Sequence, residues 1–179
     1  HTLYTANEVD YTVSVIDAAS NQAATEAIKV GRVPQALAVT PDGECVYVAD
    51  KRDDAVSVID TATNAADPKE IKVGDGPSAI AVTPNGRRLY VGNAKDDTVS
   101  VIDTATGKLA AKAIEVGHRP TAIAVSPVAR RAYVTGLSGS LSVINTKTNL
   151  LTGKVIGVGP FPLAVAISPD GRRVYIVHN

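Results

Sequence analysis

The sequence predicts an all-β chain assembled from tandem copies of one small antiparallel sheet, and three observations carry that prediction. Arg88-Leu-Tyr-Val-Gly-Asn93 recurs as Cys45-Val-Tyr-Val-Ala-Asp50, as Arg131-Ala-Tyr-Val-Thr135 and as Arg173-Val-Tyr-Ile176, with an echo in Thr2-Leu-Tyr-Thr-Ala-Asn7. The tyrosines of these copies, Tyr4, Tyr47, Tyr90, Tyr133 and Tyr175, are 43, 43, 43 and 42 residues apart, and a fixed period of this length signals a repeat architecture. The segments between turn residues are short and rich in β-branched side chains, with no helical periodicity anywhere.

The unit Asp75–Gly117 shows the elements in order. Ser78-Ala-Ile-Ala-Val-Thr83 alternates and ends at Pro84-Asn-Gly86, a turn with its glycine placed for positive φ. Arg87 to Val91 is a second strand, Asn93-Ala-Lys-Asp-Asp97 a polar connector, and Thr98-Val-Ser-Val-Ile-Asp103 a third strand. Thr104-Ala-Thr-Gly-Lys108 turns the chain into a fourth strand, Ala113-Ile-Glu-Val116. Four strands per repeat of about 40 residues is the blade of a β-propeller. Ile80 and Val82 point one way and Ala79 and Ala81 the other. Both faces are therefore apolar, as stacking blade on blade requires, whereas a sandwich leaves one face polar.

Aligned by Pro34, Pro77, Pro120 and Pro162, the copies are 32–74, 75–117, 118–159 and a truncated 160–179, preceded by the partial blade 1–31. The whole chain, 1–179, reads as a single propeller domain or a fragment of one. The N-terminal piece supplies strands two to four and the C-terminal piece strands one and two, which is five strands for four places. The blade Pro-x-Ala-Ile-Ala-Val-Thr-Pro-Asn-Gly-Arg-Arg-Leu-Tyr-Val-Gly-Asn…Val-Ser-Val-Ile-Asp-Thr resembles the YVTN β-propeller repeat, and Tyr133-Val-Thr135 carries three letters of that name. The resemblance implies a prokaryotic propeller of around seven blades, which needs roughly 300 residues, and an extracellular, cell-surface or periplasmic location. It also implies kinship with lactonase-like and haem d1 propellers. The chain is therefore expected to be an arc of about four blades cut from a larger ring. A closed four-bladed ring with a spare strand and two chains completing one ring of about eight blades are the alternatives. An isolated arc leaves an apolar face bare at each end, so self-association is expected.

Composition narrows the function. The 18 basic and 18 acidic residues balance to zero, which argues against a nucleic-acid partner held by bulk charge. No apolar run approaches the roughly 18 residues of a membrane span, and no signal peptide is visible. With no methionine, residue 1 is not expected to be a native start. Cys45 is alone, so no internal disulfide forms. There is no His-Glu-x-x-His, Cys-x-x-Cys, P-loop, Gly-x-Gly-x-x-Gly or Gly-x-Ser-x-Gly motif. No catalytic residue, metal site or cofactor is therefore assigned.

The repeated residues are scaffold, and the positions where the copies differ are free to bind. The loop into strand one and the loop joining strands two and three emerge on one face. The first carries Arg32-Val33, Asp75-Gly76, His118-Arg119 and Pro160-Phe161, and the second carries Glu8-Val9-Asp10, Lys51-Arg-Asp-Asp54, Lys95-Asp-Asp97 and Leu137-Ser-Gly139. Arg32, Asp75, His118, Arg119 and Phe161 are the candidate binding residues, for a protein, glycan or cell-envelope partner. An enzyme or cofactor-binding propeller with its site over the central channel is the alternative. Asp53-Asp54 and Asp96-Asp97 lack calcium-loop spacing and read as turn residues bonding their own backbone. Asp17, Asp60, Asp103 and Asn145 read as caps of the turn after strand three. Arg87-Arg88, Arg130-Arg131 and Arg172-Arg173 lie on the opposite face and read as a solvated rim pairing with nearby acids, a basic arc for a phosphate-rich partner being interrupted by Glu44-Cys45. The fourth copy departs from the pattern there with Pro127-Val-Ala-Arg130.

Overall fold

The computed structural model describes residues 2–24 and 26–179; His1 and Thr25 lie outside the described residues. The first sheet holds β1 (Thr2–Asn7), β2 (Thr12–Asp17), β3 (Gln22–Ala23) and β4 (Ile28–Lys29). The second holds β5 (Pro34–Val39), β6 (Cys45–Asp50), β7 (Ala55–Asp60), β8 (Ala65–Ala66) and β9 (Ile71–Lys72). The third holds β10 (Pro77–Val82), β11 (Arg88–Asn93), β12 (Thr98–Asp103), β13 (Lys108–Leu109) and β14 (Ile114–Glu115). The fourth holds β15 (Pro120–Val125), β16 (Arg131–Gly136), β17 (Ser140–Asn145), β18 (Leu150–Leu151) and β19 (Ile156–Gly157). The last is the hairpin β20 (Pro162–Ile167) and β21 (Val174–His178). All pairings are antiparallel, β4, β9, β14 and β19 pairing with β2, β7, β12 and β17 beyond the intervening short strand, and no helix occurs among the described residues.

The fourth strand differs from its sequence expectation. It is two short pieces, because the outer chain carries more residues than its partner can match. Leu109 pairs with Ile102 and Ile114 with Val99, so five steps on the outer chain face three on β12. Ala110 N–H still donates to Val101 O at 2.8 Å, residues 111–113 leave the ladder, and the outer edge offers no long row of free backbone groups to another chain.

The sheets stand side by side. β5, β10, β15 and β20 are neighbours, and strand two of each sheet lies against strand one of the next. Alternation then gives every central sheet two packed faces. From β6 and β7, Val46, Val48 and Ile59 meet Val13, Val15 and Ile28 of the first sheet. Tyr47 and Val56 point the other way and meet Leu89, Val91 and Ile102 of the third. Tyr90, Val99, Val101 and Ile114 repeat the pattern against Ala132, Val134 and Ile144.

The arrangement is an open arc of a larger propeller. Leu3 at one end is 56% exposed and Val177 at the other 58% exposed, with Leu163 and Tyr175 bare beside it. In the interior copies these positions are covered: Val46, Leu89 and Ala132, which align with Leu3, are fully buried.

Candidate functional site

In the three middle sheets the loop into strand one and the loop joining strands two and three meet on one face and are tied together through their backbones. Lys51 N–H donates to Val33 O at 3.0 Å, Lys95 N–H to Asp75 O at 3.2 Å and Leu137 N–H to His118 O at 2.8 Å.

The paired aspartates strengthen this link, and here the structure corrects the sequence reading. They do not turn back on their own backbone. The first of each pair closes the loop of its own sheet: Arg32 N–H donates to Asp53 Oδ2 at 2.5 Å, and Asp75 N–H to Asp96 Oδ2 at 2.6 Å. The second reaches the next sheet: Gly76 N–H donates to Asp54 Oδ1 at 2.9 Å, and Arg119 N–H to Asp97 Oδ1 at 2.8 Å. Asp54 and Asp97 sit at positive φ, 51° and 58°. That conformation costs roughly 1 kcal/mol for a residue with a Cβ, and Asp tolerates it better than most. The third-strand caps behave as expected. Asp17 accepts from Ala19 and Ser20 N–H, Asp60 from Thr63 N–H and Asp103 from Thr106 N–H.

The five candidate residues are placed along this face but not around one cavity. Arg32 pairs through Nε with Asp53 at 2.7 Å, and Asp75 pairs with Lys95 Nζ at 2.9 Å. The Lys95 bond holds the Asp75 carboxyl below its usual value. His118 Nδ1 lies 3.1 Å from Asp97 Oδ2. Asp97 is likewise held low, first by the Arg119 N–H and then by His118. Arg119 and Phe161 stand at φ 49° and 51°, where the third copy has Gly76 at 67° and the second has Val33 at 60°. Phe161 is 55% exposed. No cluster of three His, Cys, Asp or Glu side chains among the described residues is placed to hold a metal ion.

The cavity on this face has a volume of about 460 Å³ and is built from three consecutive sheets. Glu8, Val9 and Tyr11 come from the first, Val33, Lys51 and Arg52 from the second, and Lys95 from the third. Three cations face one anion. Lys51 Nζ rests 3.3 Å from Gln35 Oε1, Lys95 is held by Asp75, and Arg52 forms no ion pair among the described residues. Gly76 gives Lys95 its room, since a Cβ there would stand 3.0 Å from Lys95 Cγ. The sequence placed Lys51, Arg52 and Lys95 on this face without singling them out. The available signal was that the second loop carries long cations, whereas the first is short and pinned by the aspartates.

Beneath Lys51 lies Asp50, which is fully buried. Its counterparts Asn7 and Asn93 donate to a threonine and a serine of the neighbouring strand. In the second sheet that threonine is Ala55. Asp50 Oδ2 instead accepts from Ser57 N–H at 3.1 Å and Oγ–H at 2.6 Å, and Oδ1 has no partner. Burial pushes its pKa up to about 6, against the pull of Ser57.

Residues 1–124 match the family described as lactonase, 7-bladed β-propeller. The chain belongs to this lactonase propeller family. Every residue of the cavity falls inside the matched span of the family. The chain is also similar to a solved structure described as Kuenenia stuttgartiensis hydrazine synthase, with a TM-score of 0.90 and 29% sequence identity. That likeness covers 99% of this chain and 52% of the other, so this chain of the lactonase family spans about half the length of the structure it matches. No curated protein matches it.

Proposed function

We propose that the loop face of this chain binds a small hydroxycarboxylate, or the lactone from which it derives, as one sector of a larger ring. The observation that carries this reading is the charge of the cavity. Lys51 and Arg52 form no ion pair among the described residues, Lys95 is shared with Asp75, and Glu8 is the one acid in the lining, with Tyr11 beside it. A lactone opened by water becomes a hydroxycarboxylate anion, and an arginine fork is suited to receive a carboxylate. A volume of about 460 Å³ suits a small organic molecule. The role assigned to this chain is recognition. Catalytic groups, where the ring has them, come from other blades over the channel. Membership of a lactonase family supports the choice of ligand class, and similarity to a hydrazine synthase supports only that such propellers occur in enzymes. The resemblance of the repeat to YVTN propellers supports an exported protein that meets its ligand outside the cytoplasm.

A second reading, presentation of the loops to a protein or glycan, is favoured by Val9, 86% exposed, and by the exposed ring of Phe161 on the same face. Titration calorimetry separates the two. The first reading expects D-gluconate to release or absorb heat with a salt-sensitive affinity that Arg52→Glu removes. Heat of binding unchanged in that variant rules the first reading out.

A further inference from the structure

The opposite face carries a second cavity, of about 430 Å³, between the inner hairpin turns of the third and fourth sheets. We infer that it is a separate site for a small organic oxyanion, a carboxylate or a phosphate ester with an apolar body, created by the changes that set the fourth repeat apart from its sisters.

Those changes run in one direction. In the other copies the hairpin turn holds an oxygen acceptor. Asp42 takes Glu44 N–H at 3.0 Å, Asn85 takes Arg87 N–H at 3.1 Å and Asp170 takes Arg172 N–H at 3.0 Å. The fourth copy has Val128 there, and Ser126 Oγ accepts from Ala129 N–H at 3.0 Å instead. In the third sheet Arg88 is neutralised by Asp103. In the fourth, Arg131 faces Asn145 across the ladder and forms no ion pair among the described residues. Where the other copies have Ala19, Ala62 and Ala105, the fourth has Lys147.

Five rim positions per sheet can be compared: two in the hairpin turn, the first of strand two, the last of strand three and the second turn residue after it. In the second sheet they are Asp42, Glu44, Cys45, Asp60 and Ala62, with three negative charges and none positive. In the third they are Asn85, Arg87, Arg88, Asp103 and Ala105, net +1. In the fourth they are Val128, Arg130, Arg131, Asn145 and Lys147, net +3. The rim swings from acidic to strongly basic along the arc although the whole chain is neutral.

The cavity sits at the basic end of that gradient. Arg88, Arg130 and Lys147 are its charged residues and no acid lines it; Arg88 is paired with Asp103 behind the wall, while Arg130 and Lys147 form no ion pair among the described residues. Thr146 adds a hydroxyl group beside them, while the hydroxyls of Thr83 and Ser126 are taken up within their own turns. Pro84, Pro127 and Val128 form an apolar wall. Val128, though exposed, lies against the next hairpin, since a Cβ on Gly171 would collide with its Cγ2. A bare inorganic ion would leave that wall unused and much of the volume empty, which selects an anion carrying an apolar group. Open to solvent as it is, the site draws its affinity from Arg130 and Lys147 acting together, and added salt weakens it.

The test uses the whole chain with three probes: phenyl phosphate, benzoate and inorganic phosphate, each followed by calorimetry. Two variants return the fourth copy to the repeat, Lys147→Ala alone and Val128→Asp with Ala129→Gly. Both create turns already present in sister sheets, and a melting curve checks that each folds. The expected result is that phenyl phosphate or benzoate binds at least tenfold more tightly than inorganic phosphate. The tighter of the two identifies the head group, and each variant weakens it at least tenfold. Arg52→Glu, on the other face, leaves it unchanged. No binding of any probe, equal binding of inorganic phosphate and phenyl phosphate, or undiminished binding by folded variants overturns the inference.

Discussion

Tyr90 donates its phenolic hydrogen to Asn149 Oδ1 at 2.7 Å, joining residues 59 apart in the chain across the interface of the third and fourth sheets. The ring of Tyr90 is fully buried between those sheets, and Asn149 holds φ 56° in the turn after strand three of the next sheet. Tyr4 makes the same contact with Asn64, more loosely, at 3.4 Å. The repeated tyrosine thus fills the space between sheets, and its hydroxyl group reads the turn of the following repeat. Where that turn has Gly107 the acceptor is missing.

Removing only the hydroxyl group isolates the latch. Tyr90→Phe is expected to cost about 1 kcal/mol, and Tyr90→Ser about 3 kcal/mol or more because a cavity replaces the ring. Asn149→Gly, which copies Gly107, is expected to match the Phe variant, since glycine accepts the backbone conformation. Urea denaturation of the three variants and of Tyr90→Phe with Asn149→Gly checks this. The double variant should cost little more than either single one.

Asp50 sets a pH dependence of definite sign. Its folded pKa of about 6 lies above an unfolded value of about 3.9. Below pH 4 both states hold the proton. As pH rises from about 4 to about 6 the unfolded chain releases its proton first, so stability falls, by an amount on the order of 2–3 kcal/mol once the loss is complete. Asp50→Asn restores the residue of the sister sheets and is expected to be more stable than the parent at pH 7. The advantage should vanish near pH 4. Thermal unfolding at pH 4, 5, 6 and 7 measures it; an equal gain at every pH would remove Asp50 as the source.

Asp97 acts in the opposite sense. Its pKa is held low by Arg119 N–H and His118, so its contribution is present above the unfolded value near 4 and is lost as pH falls through the lower folded value. Asp97→Ala is expected to cost about 1 kcal/mol at pH 7. Hydrogen exchange should show the Arg119 amide losing protection in that variant while the amides of β11 keep theirs.

Fold and site were legible to different depths. The period of Tyr4 to Tyr175 identified the blade, and the alternation of Ile80 and Val82 with Ala79 and Ala81 identified its two packed faces, because both follow from contacts within one repeat or between identical ones. The broken outer strand at 110–113 was not legible, because Ala-Ala-Lys-Ala suits either a strand or a bulge and only the count of residues against β12 decides. The work of Asp54 and Asp97 was hidden for a different reason. Their partners lie in the next repeat, 22 residues away for Asp54 with Gly76 and for Asp97 with Arg119. The cavity of Glu8, Arg52 and Lys95 needs three sheets in place before it exists, so no single repeat could announce it.

Arg52 separates scaffold from site. It forms no ion pair among the described residues, and its replacement by glutamate is expected to leave the melting temperature within a degree or two of the parent. Gluconate affinity should fall at least tenfold in the same protein. Differential scanning calorimetry and a binding titration on one preparation check both halves.

The most direct measurement is a two-dimensional amide NMR titration of the chain with D-gluconate. The proposed recognition role predicts saturable shifts at the amides of Tyr11, Val33, Lys51, Arg52 and Lys95, drawn from three sheets, with the core amides of Val91 and Val101 unmoved. Saturation without shifts at these loop positions, or shifts confined to the hairpin turns of the opposite face, would contradict it.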